Sequence, residues 1–298
     1  MRGRRTTEWH IYSLESLQRF LKYAEAPKFN FKGCTVYLDA DIVLPKSGLF
    51  FTTIKRAALF RGTFEGNGHK IYNVTDQFFG NPYGEIRNVQ FVDIDITPTS
   101  TPCGCIVYSE SNIHNCYFQG KIRANSGYYR KGAVTGTRTN ITDCLFDMEI
   151  LADNSQCAII DGFQTMTTAS INRCIAKGSI LSTASDVGGI CGYCSGSVRN
   201  CVSLCTSLSG NTPVGRITAS YSGTLSNNFA IDTMLINGQT VHSNDVTSSN
   251  GADLSAAQSK TQSFYEDLGY DFVNVWKMSN SAGKHGGTPI LQFMDDEL

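Results

Sequence analysis

The sequence predicts an all-β chain wound as a parallel β-helix, on three observations. First, six segments align without internal gaps: GEIRNVQFVDIDI (84–96), SNIHNCYFQGKIRA (111–124), TNITDCLFDMEILA (139–152), ASINRCIAKGSILS (169–182), GSVRNCVSLCTSLS (196–209) and GTLSNNFAIDTMLI (223–236). Their anchors Ile86, Ile113, Ile141, Ile171, Val198 and Leu225 are separated by 27, 28, 30, 27 and 27 residues. Second, the segments alternate apolar and polar residues at period two and are rich in β-branched side chains, which excludes a helical repeat. Third, like residues recur at matching places, so coils stacked at roughly 4.8 Å would bring them into columns. Three short strands and three turns per period is the economical solution.

Composition agrees with this reading. The 298 residues are 41% hydrophobic and 17% charged, enough for a packed interior, and 28 Gly against 7 Pro fits many short strands joined by tight turns. With 25 Lys+Arg against 26 Asp+Glu the chain lacks the basic excess of a nucleic-acid surface. No apolar run reaches the roughly 18 residues of a membrane span, so no membrane insertion is expected. The opening MRGRRTTEWHIYSLESLQRF has neither the apolar core nor the small-residue cleavage site of a classical signal peptide. Synthesis in the cytoplasm is the expectation.

Taken in order, residues 1–35 read as an N-terminal helical cap. Leu14, Leu17, Phe20 and Leu21 fall at helical spacing behind Ser13 as N-cap, and would cover the first coil. Residues 36–237 form the β-helix. Three residues past the anchors comes a column of Val89, Cys116, Cys144, Cys174, Cys201 and Asn228, and two further on Phe91, Phe118, Phe146, Ala176, Ser203 and Ala230. Six past the cysteines lie Ile122, Ile150 and Ile180, with Met234 in the last coil. All three columns should face inward. The residue before the cysteine column is Asn88, Asn115, Asp143, Arg173, Asn200 or Asn227, mostly a type that tolerates a left-handed bend, so a corner is expected there. Ile106, Val134, Ile190 and Ile217 mark a shorter strand seven or eight residues before their anchors. Residues 238–298 complete the chain as a loop and C-terminal cap, within one structural domain. The polar stretch 237–254 should be the loosest connection. After it comes a short helical pattern at 255–268, and then Phe272, Val275, Trp276, Pro289, Ile290 and Leu291 to close the far end.

GTFEGNGHKIYNV (62–74), GGICGYCSGSVRNC (188–201) and DLGYDFVNVWKMSNSAGKHGGTPILQF (267–293) resemble the GLUG-type repeats of bacterial surface proteins. These include adhesins and the non-catalytic region of IgA-specific metallopeptidases. The resemblance covers about residues 36–293 and implies a right-handed parallel β-helix in an adhesin-like protein. The cysteine column departs from the family pattern.

Eleven cysteines, an odd number in a chain large enough to fold without staples, read as reduced. Cys191, Cys194, Cys201 and Cys205 have spacing near that of a zinc site, and Cys103 and Cys105 form a CxC pair, yet buried inert thiols are the better reading. No metal or other cofactor is expected. Asp93 and Asp95 face outward together, one coil from Lys121 and Arg123 and two from Glu149, so an ion-pair ladder accounts for them without catalysis. His10, His69, His114, His242 and His285 share no ligand spacing, and His69 in GNGHKI has a turn role. LPKSG (44–48) and the terminal DDEL are read as chance matches to sorting signals, and Asp295-Asp296 and His285-Gly286-Gly287 as parts of the cap.

Candidate ligand-binding residues are aromatic. Tyr108, Phe163, Tyr193 and Tyr221 each follow the short pre-anchor strand and would line one edge of the stack, and Tyr128 and Tyr129 belong to a tip, GYYRK (127–131), with two cations. Such rings offer sugars or protein side chains contact area at low entropic cost. No catalytic residue is assigned. The function expected is a non-enzymatic solenoid for attachment or structural support, binding a glycan or a host or particle protein. Reduced cysteines point to a cytoplasmically made virion component such as a phage tail or capsid-surface protein, and homo-oligomeric or particle assembly is open to it. The alternative is a polysaccharide lyase or glycoside hydrolase working through Asp93 and Asp95.

Overall fold

Alternation at period two sends the anchor residue inward and its neighbours outward. In the computed structural model, which describes residues 7–24, 30–46, 60–80, 82–97, 103–124, 130–136, 138–153, 156–164, 167–183 and 185–296, all six anchors are buried. Each pairs in parallel with its counterpart one coil away. Together with earlier strands they form a sheet of nine. A second sheet, of eleven strands, carries the long strands Gln90–Ile96, Tyr117–Ala124, Leu145–Ala152, Ile175–Ser182 and Val202–Ser209, and a third, of six, carries the short pre-anchor strands. The chain makes about eight turns of a β-solenoid.

The corner between the first two sheets is built as the residue types require. Asn88, Asn115, Asp143, Arg173, Asn200 and Asn227 have φ of 54°, 53°, 53°, 48°, 54° and 51°. Asn is at home there because its short polar side chain offsets the left-handed cost. Those side chains also bond along the stack: the Asn115 amide donates to Asn88 Oδ1 at 2.5 Å, that of Asn227 to Asn200 Oδ1 at 3.2 Å, and Arg173 donates twice to the Asp143 carboxylate at 2.8 and 2.7 Å.

Inside, the cysteine column and the column two residues on are wholly buried. The rings of Phe91, Phe118 and Phe146 stack face to face, with centroids 5.2 and 4.9 Å apart. Ile96, Ile122, Ile150, Ile180, Leu208 and Ile236 make the third column by strand register. Counting six residues from Cys201 misses Leu208 because the strand Val202–Ser209 carries one extra residue between Cys205 and Ser207. Met234 is buried but is not the strand partner of Leu208.

The ends differ from expectation. Strand Glu8–Ile11 precedes the helix and pairs in parallel with Thr35–Leu38, so the stack begins before residue 36. Helix α1 (Leu14–Ala24) is an insertion between two coils. Ser13 Oγ accepts the Ser16 amide at 3.2 Å, and the Phe20 ring lies 5.1 to 5.9 Å from Phe31, Phe60 and Phe64. The polar stretch 237–254, expected to be loose, covers the far end instead. Wholly buried Arg216 donates to the carbonyls of Asn250 and Gly251, both at 3.1 Å, and pairs with Asp253 at 2.7 Å. Ala252–Leu254 then adds a parallel strand beside Phe229–Ile231.

Residues 255–296 do not close that end. They run back as a strap over the outside of the long-strand sheet. The strap includes helix α2 (Gln262–Asp267) and the hairpin of Trp276–Met278 with Pro289–Leu291. Tyr270 Oη donates to the carbonyls of Cys174 and Asn200 at 3.2 and 3.1 Å, Trp276 Nε1 to Asp143 at 3.3 Å, and Lys70 pairs with Asp295 at 2.9 Å. The reason lies in a column that breaks the alternation. Tyr117, Leu145, Ile175 and Val202 face outward yet are apolar, and Trp276, Ile290, Leu291 and Met294 bury them in a second core.

Replacing Phe118 by Ala leaves a void between two stacked rings, and unfolding in denaturant should show a loss of about 3–5 kcal/mol. Leu181→Ser, at a position 63% exposed, should change stability by less than about 0.5 kcal/mol.

Candidate functional site

The aromatic edge is only partly brought together. Tyr108, Phe163, Tyr193 and Tyr221 all fall on strands of the six-stranded sheet. Phe163 pairs with Tyr193, but the next partner in that row is Ser220, and Tyr221 sits one place on, opposite buried Cys194. Tyr221 is 45% exposed, and the Tyr193 hydroxyl lies 3.3 Å from Ser222 Oγ. The side chains of Tyr108 and Phe163, and all of Tyr128 and Tyr129, lie outside the described residues. So do parts of LPKSG and DDEL. Lys131, assigned to the same tip, is buried instead, its ammonium donating to the carbonyl of Asp153 at 2.7 Å.

The cysteines are all buried as free thiols. Burial pushes the Cys103 thiol up to about 12 and that of Cys157 to about 11, and holds Cys105, Cys144 and Cys201 higher still. Such groups stay protonated and are poor nucleophiles or ligands. Among the described residues no three His, Cys, Asp or Glu side chains converge as a metal site. Four histidines face carboxylates: His10 with Asp39 at 2.6 Å, His69 with Asp41 at 3.0 Å, His114 with Glu85 and His242 with Asp253, both at 2.7 Å. No helix among the described residues is long and apolar enough to cross a membrane.

The surface acids form the expected ladder in part. Asp95 pairs with Arg123, and Lys121 with Glu149 at 2.7 Å. Asp93 does not join it. It occupies a bulge in Gln90–Ile96, opposite Gln119, with φ of 53°. Its amide donates to Gln119 Oε1 at 3.1 Å, and its exposed carboxylate has no ion-pair partner among the described residues. Gly120 completes the bulge, since a Cβ there would run into the Ile94 backbone. A bulge beside a cleft re-aims a side chain.

Asp93 and Gln119 stand where two clefts meet. One, about 490 Å³, opens along the outer face past Lys46, Asn73, Lys121 and Arg123. The other, about 230 Å³, lies under the strap between Tyr72 and Tyr117 on one side and Lys284 and His285 on the other. The sequence marks Asp93 as an acid but not this place, because the wall made by residues 284–295 comes from a segment almost two hundred residues away.

The strap is held here by Lys177, whose ammonium donates to Thr288 Oγ1 at 2.6 Å and lies 3.5 Å from His285 Nδ1. Burial pushes Lys177 down to about 8. Burial, then the nearby Lys177 and Lys284 charges, pushes His285 down to about 4 from 6.5. Between these last two values the unfolded chain binds a proton that folded His285 refuses, so stability rises with pH through that window. Thermal unfolding followed by circular dichroism should show the His285 contribution complete above about pH 6.5 and lost toward pH 4. His285→Gln should flatten that part of the profile.

No family model and no curated protein matches the chain. Among solved structures it is similar to a candidate immunoglobulin A1 protease from Bacteroides ovatus, with a TM-score of 0.72 at 21% identity, over 97% of this chain and 93% of that one. The likeness is one of fold.

Proposed function

We propose that this chain is a non-enzymatic β-solenoid of the GLUG-like kind, serving as an attachment or structural element that binds a glycan or a protein along its side. A cell-surface position or a place on a phage or other particle fits such a rod equally. The observation that carries this reading is the distribution of chemistry. The interior is filled by apolar side chains and buried free thiols, and the surface acids and histidines are largely engaged with partners one coil away. A rigid stack can then vary its outer side chains without loss of fold. The name of the solved neighbour refers to proteolysis. That word belongs to the neighbour, with which this chain shares a fold at 21% identity.

One observation favours a second reading, a polysaccharide lyase or glycoside hydrolase. Asp93 is an exposed carboxylate with no ion-pair partner among the described residues, set on a bulge beside a cleft, and bulges gather next to active sites. Incubation with a panel of acidic polysaccharides separates the two. The attachment reading expects no cleavage products from the wild-type chain, and binding to immobilised glycans or proteins on arrays. Cleavage that disappears in Asp93→Asn would replace it with the enzymatic one.

A further inference from the structure

Three features of the cleft at Asp93 belong together. The first is the carboxylate itself, fixed by a bulge whose left-handed residue is not Gly. Asp tolerates that conformation, and the bulge fixes its side chain at the junction of the two clefts. The second is charge: Lys46 in one arm and Lys284 in the other have no ion-pair partner among the described residues, whereas Lys70, Lys121 and Arg123 in the same walls are paired. The third is the mixture of an aromatic ring, half-buried Tyr72, with the half-buried side-chain amide of Gln119. Planar acceptors and amides suit paired hydroxyls, a ring wall suits the apolar face of a sugar, and unpaired ammonium groups suit anions.

We propose that this cleft binds a short oligosaccharide bearing carboxylates. Asp93 and Gln119 take hydroxyls at the junction, Tyr72 carries a ring beside the strap, and Lys46 and Lys284 receive carboxylates on either side. The larger arm falls within the roughly 300–1,000 Å³ of small-ligand sites, and the smaller extends it along the chain of the ligand. This rests on the attachment reading and locates its ligand away from the tyrosine edge.

The test is calorimetric titration of the full chain with galacturonate, glucuronate and sialyl trisaccharides, each alongside its methyl ester. At least one acid should bind, its ester at least tenfold more weakly, and added salt should weaken the acid alone. Asp93→Asn keeps a residue suited to left-handed backbone and removes the charge, and with Lys284→Ala it should weaken binding at least fivefold. Tyr193→Ala should leave affinity unchanged. Binding to none of the acids, equal binding of acid and ester, or affinity indifferent to both cleft variants would overturn the proposal. If a ligand binds but only Tyr193→Ala weakens it, the cleft is rejected and the attachment reading stands. Cleavage of a bound trisaccharide that is lost in Asp93→Asn would keep the site and reject the non-enzymatic reading.

Discussion

In-register parallel pairing governs this structure. Each strand bonds to its equivalent one coil away, so a residue is tied to the same position in the coils above and below. A slip of one residue would send every inward side chain of that strand to the outside. The cysteine and phenylalanine columns follow from this, and so do the Asn corners. The same side chain at the same place can stack or hydrogen-bond with its copy. Where a coil carries an extra residue, as near Asp93 and between Cys205 and Ser207, the strand bulges and register is recovered at once.

The stack leaves two problems that repetition does not solve. Its ends expose unpaired strand edges, which would template pairing with other chains. At the far end the polar stretch 237–254 answers this through backbone bonds to buried Arg216 and an added strand. Its outer face also carries an apolar column, which the strap covers with Trp276, Ile290 and Leu291. On its return path the strap walls the smaller cleft with Lys284, His285, Met294 and Asp295. Cover and cleft are one construction.

The coils, the inward columns and the left-handed corner were all legible in the sequence. Each is a local rule stated several times over, so chance substitutions such as Arg173 among the asparagines do not hide it. The ion-pair ladder was legible for the same reason, since Lys121 and Glu149 are partners by register alone. The tyrosine row was less so. A shift of one place sets Tyr221 beside Cys194 rather than Tyr193, and counting from a short strand cannot resolve a single residue.

By itself, then, the sequence determined what repeats: the period, the interior and the corners. Tertiary structure alone decided where the unrepeated segments go. Trp276 meets Asp143 across 133 residues and Lys70 meets Asp295 across 225. Such contacts occur once, with no second copy to reveal them. They arise because an exposed apolar column gains free energy from any cover that fits, and only the folded surface defines which segment fits.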